Sequence, residues 1–130
     1  MYGNYTVTIG NFAEKHFIKS FQKKYKKQWE VTLRAIIAEF ERIDNLLKTD
    51  RAETIVVADH IKIIKTKFKV AGTQDSARSS GNRCIVMVNE SKKCTSILLV
   101  YGKTDLDGVN ETKEWIKLVK ENYPQLRDMI

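Results

Sequence analysis

The chain has 130 residues, 42% hydrophobic and 30% charged, with one proline and six glycines. That composition belongs to one folded domain that buries its own core without disulfide or metal staples, and it excludes a disordered chain. The formal net charge is +7 and the pI about 9.4, which points to an anionic partner.

Tyr5–Ile9 alternates and is rich in β-branched residues, so it reads as a first strand, punctuated by Gly10 and Asn11. Residues 12–48 contain neither proline nor glycine. Phe17, Phe21 and Tyr25, then Trp29, Leu33, Ile36, Ile37, Phe40, Ile43 and Leu47, recur at helical intervals. One helix of that length is unusual in so small a domain, so the stretch predicts two helices that break near Lys26–Trp29 and fold back as a hairpin.

Residues 49–60 read as a polar connection containing a short apolar run, Ile55–Ala58. A strand at 61–70, a loop at 71–82 and strands at 83–89 and 94–102 follow, the last two joined by a hairpin-length turn, Asn89–Lys93. An acidic linker leads to a final helix. Asn110 is its expected N-cap, Trp115, Leu118 and Val119 mark one side, and Pro124 stops it. The order is β-α-α-β-β-β-α, an α+β domain spanning residues 1–130. Trp29, Trp115 and the phenylalanines are expected in its core.

The charge is concentrated in two segments. Residues 11–28 hold Lys15, Lys19, Lys23, Lys24, Lys26 and Lys27 against Glu14 alone. Residues 61–83 hold Lys62, Lys65, Lys67, Lys69, Arg78 and Arg83 against Asp75 alone. The first segment suits a solvated helix face as well as a partner surface. In the second, strand alternation places Ile64, Thr66, Phe68 and Val70 on one face and Lys65, Lys67 and Lys69 on the other. Ammonium groups so arranged repel one another unless an anion lies along them, which favours a polyanion such as nucleic acid. A merely solvated sheet face is the alternative.

Catalytic signatures of other kinds are missing: there is no phosphate-cradling glycine loop and no nucleophile elbow. His16 lies in a basic helical stretch and is expected at the surface; His60 precedes the cationic strand and its place is open. Asp105 and Asp107 sit in a polar linker, where solvated turn residues are the default. Cys84 and Cys94 have no metal-ligand spacing and are expected as reduced thiols of a cytoplasmic protein. No secretory signal, lipid anchor or membrane-length apolar run is recognised, and no metal or cofactor is expected.

The remaining constellation is cationic. Lys65, Lys67 and Lys69 lie on one strand, Arg78 in the following loop, Arg83 at the start of the next strand, and Tyr101 with Lys103 at the end of the last. Converging at one end of a sheet, these groups suit cleavage of a phosphodiester by the RNA's own 2′-hydroxyl. Cations would offset charge on the phosphorane, and crowding would depress the pKa values of Lys and Tyr toward proton transfer.

Lys65-Thr66-Lys67-Phe68, then Arg78-Ser79-Ser80-Gly81-Asn82-Arg83, then Val100-Tyr101-Gly102-Lys103 followed by Thr104-Asp105-Leu106-Asp107, occur in the order of motifs in one family. With the element order, they resemble the RelE/ParE superfamily of bacterial toxins, and more closely its HigB-like branch. The resemblance implies a RelE-like α+β fold, with a small antiparallel-rich sheet packed by an N-terminal helical hairpin and a C-terminal helix. It implies a type II toxin–antitoxin toxin, a ribosome-dependent mRNA endoribonuclease, neutralised by a cognate antitoxin. Carried over by position, Lys65, Lys67, Arg78 and Arg83 would bind and stabilise phosphate, with Lys69 beside them on the RNA path. Tyr101 and Lys103 would flank the scissile bond. Basic patches would meet ribosomal RNA. Asn82 departs from the family's usual aromatic and Val86 from its common tyrosine. Two alternatives stand: a ParE-like inhibitor of a protein target such as DNA gyrase, and a non-catalytic RNA-binding module, which would call for stacking aromatics.

Overall fold

The computed structural model describes residues 4–102, 105–106 and 110–130. Strand β1 (Thr6–Ile9) runs into one helical stretch made of α1 (Asn11–Ala13), a π-helical turn (Glu14–Ile18) and α2 (Lys19–Tyr25). Helix α3 (Lys27–Glu41) and the short α4 (Ile43–Leu46) follow. The break expected near Lys26–Trp29 falls at Lys26, whose φ of 53° and ψ of −119° cannot continue a helix. The backbone amide of Gly10 bonds to Ile97 where the first helical stretch begins, and that of Tyr5 bonds to Glu41 where α3 ends. The second helix thus returns to the start of β1, as a hairpin must.

Strands β2 (Ala52–Ala58), β3 (Ile61–Phe68), β4 (Asn82–Asn89) and β5 (Cys94–Tyr101) complete a five-stranded sheet in the order β1-β5-β4-β3-β2. Only the β1–β5 pairing is parallel. Residues 49–60 are therefore not merely a connection. They supply an edge strand that hairpins onto β3 through Asp59 and His60, with Asp59 taking the positive φ (53°) the tight turn requires. The expected loop at 71–82 also contains α5 (Ala77–Ser80). Helix α6 (Glu111–Asn122) starts after Asn110, and a 3-10 turn (Pro124–Leu126) follows it.

The strand segments CIVMV and SILLVY are near-continuous apolar runs, the pattern of strands covered on both faces. On one face Ile64, Val86, Val88 and Ile97 pack against Phe21, Trp29, Ile36 and Phe40. On the other, Ile63, Ile85 and Leu99 pack against Trp115, Val119 and Leu126. Trp29 and Trp115, 2% and 0% exposed, anchor the two layers, and truncating either to alanine would cost about 3–5 kcal/mol. His16 and His60 are exposed. Cys84 is buried, Cys94 half-buried, and both are free thiols. Among the described residues no helix is long and apolar enough to cross a membrane.

Candidate functional site

Strand register decides which cations meet. Lys67 stands directly opposite Arg83 in β4, and Arg83 directly opposite Tyr101 in β5. The three form a row across the end of the sheet, on the face that carries Ile63 and Ile85 and is covered by α6. One step inward, Lys65 pairs with Ile85 and Ile85 with Leu99, so the row marks where apolar packing gives way to charge.

The turn before β4 is built to hold Arg83. Ser76 and Ser79 form a reciprocal capping box at the start of α5, each side chain meeting the other's backbone amide. Gly81 closes the turn at φ 76°, a conformation that costs glycine no Cβ clash. Ser80 Oγ donates to the Phe68 carbonyl at 2.6 Å, fastening the turn to the end of β3. Arg83 then gathers the turn's carbonyls: Nη1 donates to Asn82 and Ala77 at 2.8 and 3.3 Å, and Nη2 to Arg78 at 3.1 Å. Its guanidinium therefore holds the turn as well as facing the row.

The lysine strand is not a bare cationic ladder. Lys65 Nζ lies 2.6 Å from Glu111 Oε2, and the Tyr101 hydroxyl donates to that same oxygen at 2.6 Å. The anion that the alternation called for is supplied, at Lys65, by the first residue of α6. Burial by itself would push the Glu111 carboxyl up. Hydrogen bonds from Lys65 and Tyr101 and the charges of Lys65 and Arg83 outweigh it and hold the group below the usual carboxylate value. The expected depression of the Tyr101 pKa is reversed. Burial, then the hydrogen bond to Glu111 and its charge, push the phenol well above its ordinary value, against the opposing charge of Arg83. Tyr101, 1% exposed, is a hydrogen-bond donor locked in place, not a ready proton acceptor.

The remaining expected site residues are spread around this row. Among the described residues Lys67 has no ion-pair partner. Arg78 is exposed on α5, one turn from Arg83. Lys69 lies past the end of β3 in a surface groove beside Val31 and Ala35 of α3, away from the α6 face. Asp105 takes a 2.6 Å hydrogen bond from the Gly102 amide, so it closes a turn. Lys103, Thr104 and Asp107 lie outside the described residues. The lysines of residues 11–28 are all exposed. Sequence reasoning missed Glu111, which looked like an ordinary acidic residue of a helix's first turn; no local spacing ties it to Lys65 or Tyr101.

The chain is thus an α+β domain with a cationic row at one end of its sheet and a carboxylate closing part of that row. No family model matches it, and no curated protein matches it. Among solved structures it is similar to a chain in the crystal structure of an archaeal RelE–RelB complex from Pyrococcus horikoshii OT3. The identity is 14% and the TM-score 0.45, over 79% of this chain and 99% of that one. A likeness of that degree carries no argument about what the chain does.

Proposed function

We propose that this protein is a toxin of a toxin–antitoxin pair, of the HigB-like kind, that cleaves mRNA on the ribosome. The observation that carries the reading is the row Lys67–Arg83–Tyr101, with Lys67 free of any ion-pair partner among the described residues. The motif order over residues 65–107 supports it from the sequence side.

In the proposed reaction the RNA's 2′-oxygen attacks the adjacent phosphorus, the bond to the 5′-oxygen breaks, and a cyclic phosphate and a 5′-hydroxyl result. The 2′-hydroxyl gives up a proton and the leaving oxygen takes one. Lys67 and Arg83 would offset the charge that builds on the phosphorane, where preorganised donors act most strongly. The single proton of the Tyr101 hydroxyl is spent on Glu111, so Tyr101 would donate to a phosphate oxygen or to the 2′-oxygen only when Glu111 releases it. Lys103 would stand with Tyr101 at the scissile bond. Lys65 would reach the phosphate only when Glu111 releases it. Arg78 and Lys69 would guide the RNA strand, and the exposed lysines of residues 11–28 would meet ribosomal RNA. A cognate antitoxin would neutralise the protein by covering the row. This chemistry calls on no metal and no cofactor.

The test is inducible expression in a bacterium, wild type beside Lys67→Ala and Arg83→Lys, with mapping of mRNA 5′ ends. Growth arrest with new cuts inside translated codons, lost in both variants, is the expected result. Arrest without cuts would replace the nuclease by an inhibitor of a protein target. Neither arrest nor cuts from the folded protein would refute the toxin reading.

A further inference from the structure

We propose that Glu111 is the general base of the cleavage reaction: it holds Lys65 and Tyr101 in the free protein, and it takes the proton of the RNA's 2′-hydroxyl once a phosphate has replaced it on them. The proposal rests on the ribonuclease reading above and assigns the proton acceptor which that reading leaves open.

Attack by a 2′-hydroxyl needs a group that accepts its proton, and the row itself lacks one. An ammonium or a guanidinium only donates, which sets aside Lys65, Lys67 and Arg83. Tyr101 keeps its proton, because burial and then the hydrogen bond to Glu111 push its phenol well above the ordinary value. Asp105 lies in a cleft on the other face of the sheet end, with Phe21 and Asn82, and its Oδ2 is held by the Gly102 amide at 2.6 Å. His60 belongs to the turn between β2 and β3, at the far end of β3 from Lys67. His16 is exposed on the first helical stretch, against the ring of Phe12. Among the described residues, the acceptor that reaches the row is the Glu111 carboxylate.

Its place over the row follows from the sheet. Lys65 stands on β3 and Tyr101 on β5, one on each side of β4. A single carboxylate oxygen that meets both, at 2.6 Å each, therefore spans β4. Arg83, the β4 residue opposite Tyr101, acts on that carboxylate through its charge. Lys67 follows Lys65 on the same strand face, about 6.6 Å further along. A phosphate held between Lys67 and Arg83 thus has the carboxylate as its neighbour. Glu111 is within reach of a substrate: its side chain is 29% exposed, and Oε1 takes no hydrogen bond among the described residues. The helix that carries it is fixed by Trp115, four residues on and fully buried against the sheet.

Substrate binding turns this latch into a base. An incoming phosphate offers Lys65 and Tyr101 what the carboxylate offers, an anionic oxygen, and exchanges with it. Burial already raises the carboxylate's proton affinity. Without the two hydrogen bonds and the Lys65 ammonium that oppose burial, and beside a new negative charge, that affinity rises further. Glu111 then takes the 2′-hydroxyl proton, the 2′-oxygen bonds to phosphorus, and the bond from phosphorus to the 5′-oxygen breaks. The 5′-oxygen takes a proton from water, and Glu111 returns its own to the hydroxide so formed.

The test uses the full chain with bacterial ribosomes translating a defined mRNA, for wild type, Glu111→Gln and Glu111→Asp, with melting curves to confirm folding at the assay temperature. Two quantities are read: the single-turnover cleavage rate at saturating protein, and the affinity for an uncleavable 2′-O-methyl RNA. Glu111→Gln should cleave at least about a hundredfold more slowly, the low end for a positioned general base, while binding the uncleavable RNA at least as tightly as wild type. Glu111→Asp keeps a carboxylate one methylene shorter and should cleave at a rate between the two. A folded Glu111→Gln that cleaves as fast as wild type, or faster, overturns the proposal and leaves Glu111 a latch on Lys65 alone. Slow cleavage joined to weaker RNA binding overturns it as well, since the loss would then lie in the shape of the site. Failure of the folded wild type to cut any mRNA overturns the ribonuclease reading and this proposal together.

Discussion

Lys65 and Glu111 meet at 2.6 Å across the gap between β3 and α6, and their contact decides how much of the cationic strand is free. Glu111 spends one oxygen on both Lys65 and Tyr101, so the first turn of α6 neutralises the inner end of the site while Lys67 and Arg83 stay outside the pairing. A charge-assisted contact of this kind contributes about 1–3 kcal/mol. Glu111→Gln should therefore lower the melting temperature by roughly 3–10 °C, and RNA should bind more tightly because Lys65 regains its free charge. An unchanged melting temperature would show that the pair does not hold α6.

The same contact has a pH signature. Against the burial that would raise it, hydrogen bonds from Lys65 and Tyr101 hold the Glu111 carboxyl below its ordinary value in the folded chain, so folding favours the ionised form. Its contribution is complete well above pH 4.5 and fades as pH falls through the folded value. Wild type should lose stability over that acid range more steeply than Glu111→Gln, as followed by urea denaturation at stepped pH. Parallel pH curves for the two proteins would mean that Glu111 titrates as an unpaired group.

Lys67 should behave as a phosphate contact. Lys67→Ala should weaken RNA association across sequences and reduce the slope of log affinity against log salt by about one, as expected when one counterion-releasing contact is lost. Its side chain has no ion-pair partner among the described residues, so stability should move little. An unchanged salt slope would place Lys67 off the RNA path.

Arg83 carries a structural duty that complicates its use as a probe. Three of its hydrogen bonds end on the carbonyls of Ala77, Arg78 and Asn82. Arg83→Ala should loosen the turn that carries Arg78 and cost about 1–3 kcal/mol, visible as faster amide exchange at residues 77–82. Arg83→Lys keeps the charge, but an ammonium lacks the planar fork that spans these carbonyls. It should still disturb the turn, and less than alanine does. Equal exchange rates in wild type and Arg83→Ala would remove the anchoring role.

Much of this arrangement was legible in the chain, and the parts that were not share a physical reason. Helical spacing from Phe17 to Leu47 and strand alternation from Ile64 to Phe68 are local, and both appear as expected, helix break included. Strand β2 was hidden because a register irregularity between Thr54 and Val56 breaks its alternation, and because Glu53 and Thr54 look like loop residues. The row Lys67–Arg83–Tyr101 follows from strand parity once the strands are neighbours. Glu111 does not, since its meeting with Lys65 depends on how α6 is laid over the sheet. The Tyr101 pKa was misjudged for the same cause: counting cations along the chain says nothing of the burial that α6 imposes. Cys84 shows the effect again, its thiol pushed up to about 12 by burial beneath the helices.

The helix break offers a test of the fold that is independent of any activity. Lys26 adopts φ 53° and ψ −119°, a region that L-residues avoid because Cβ crowds the backbone, and it is the hinge on which α3 folds back. Its side chain is exposed, so no buried contact compensates for the conformation. Holding a non-glycine residue there costs about 1–3 kcal/mol, while glycine loses about 0.5–1 kcal/mol more entropy on folding. The balance favours glycine. Lys26→Gly should raise stability by about 1 kcal/mol, read as a higher urea midpoint with an unchanged slope, and Lys26→Ala should leave it where it is. If glycine instead lowers the midpoint, the hinge is not strained, and the turn between the two helices is set by the stacking of Phe21 on Trp29 at 4.7 Å rather than by Lys26.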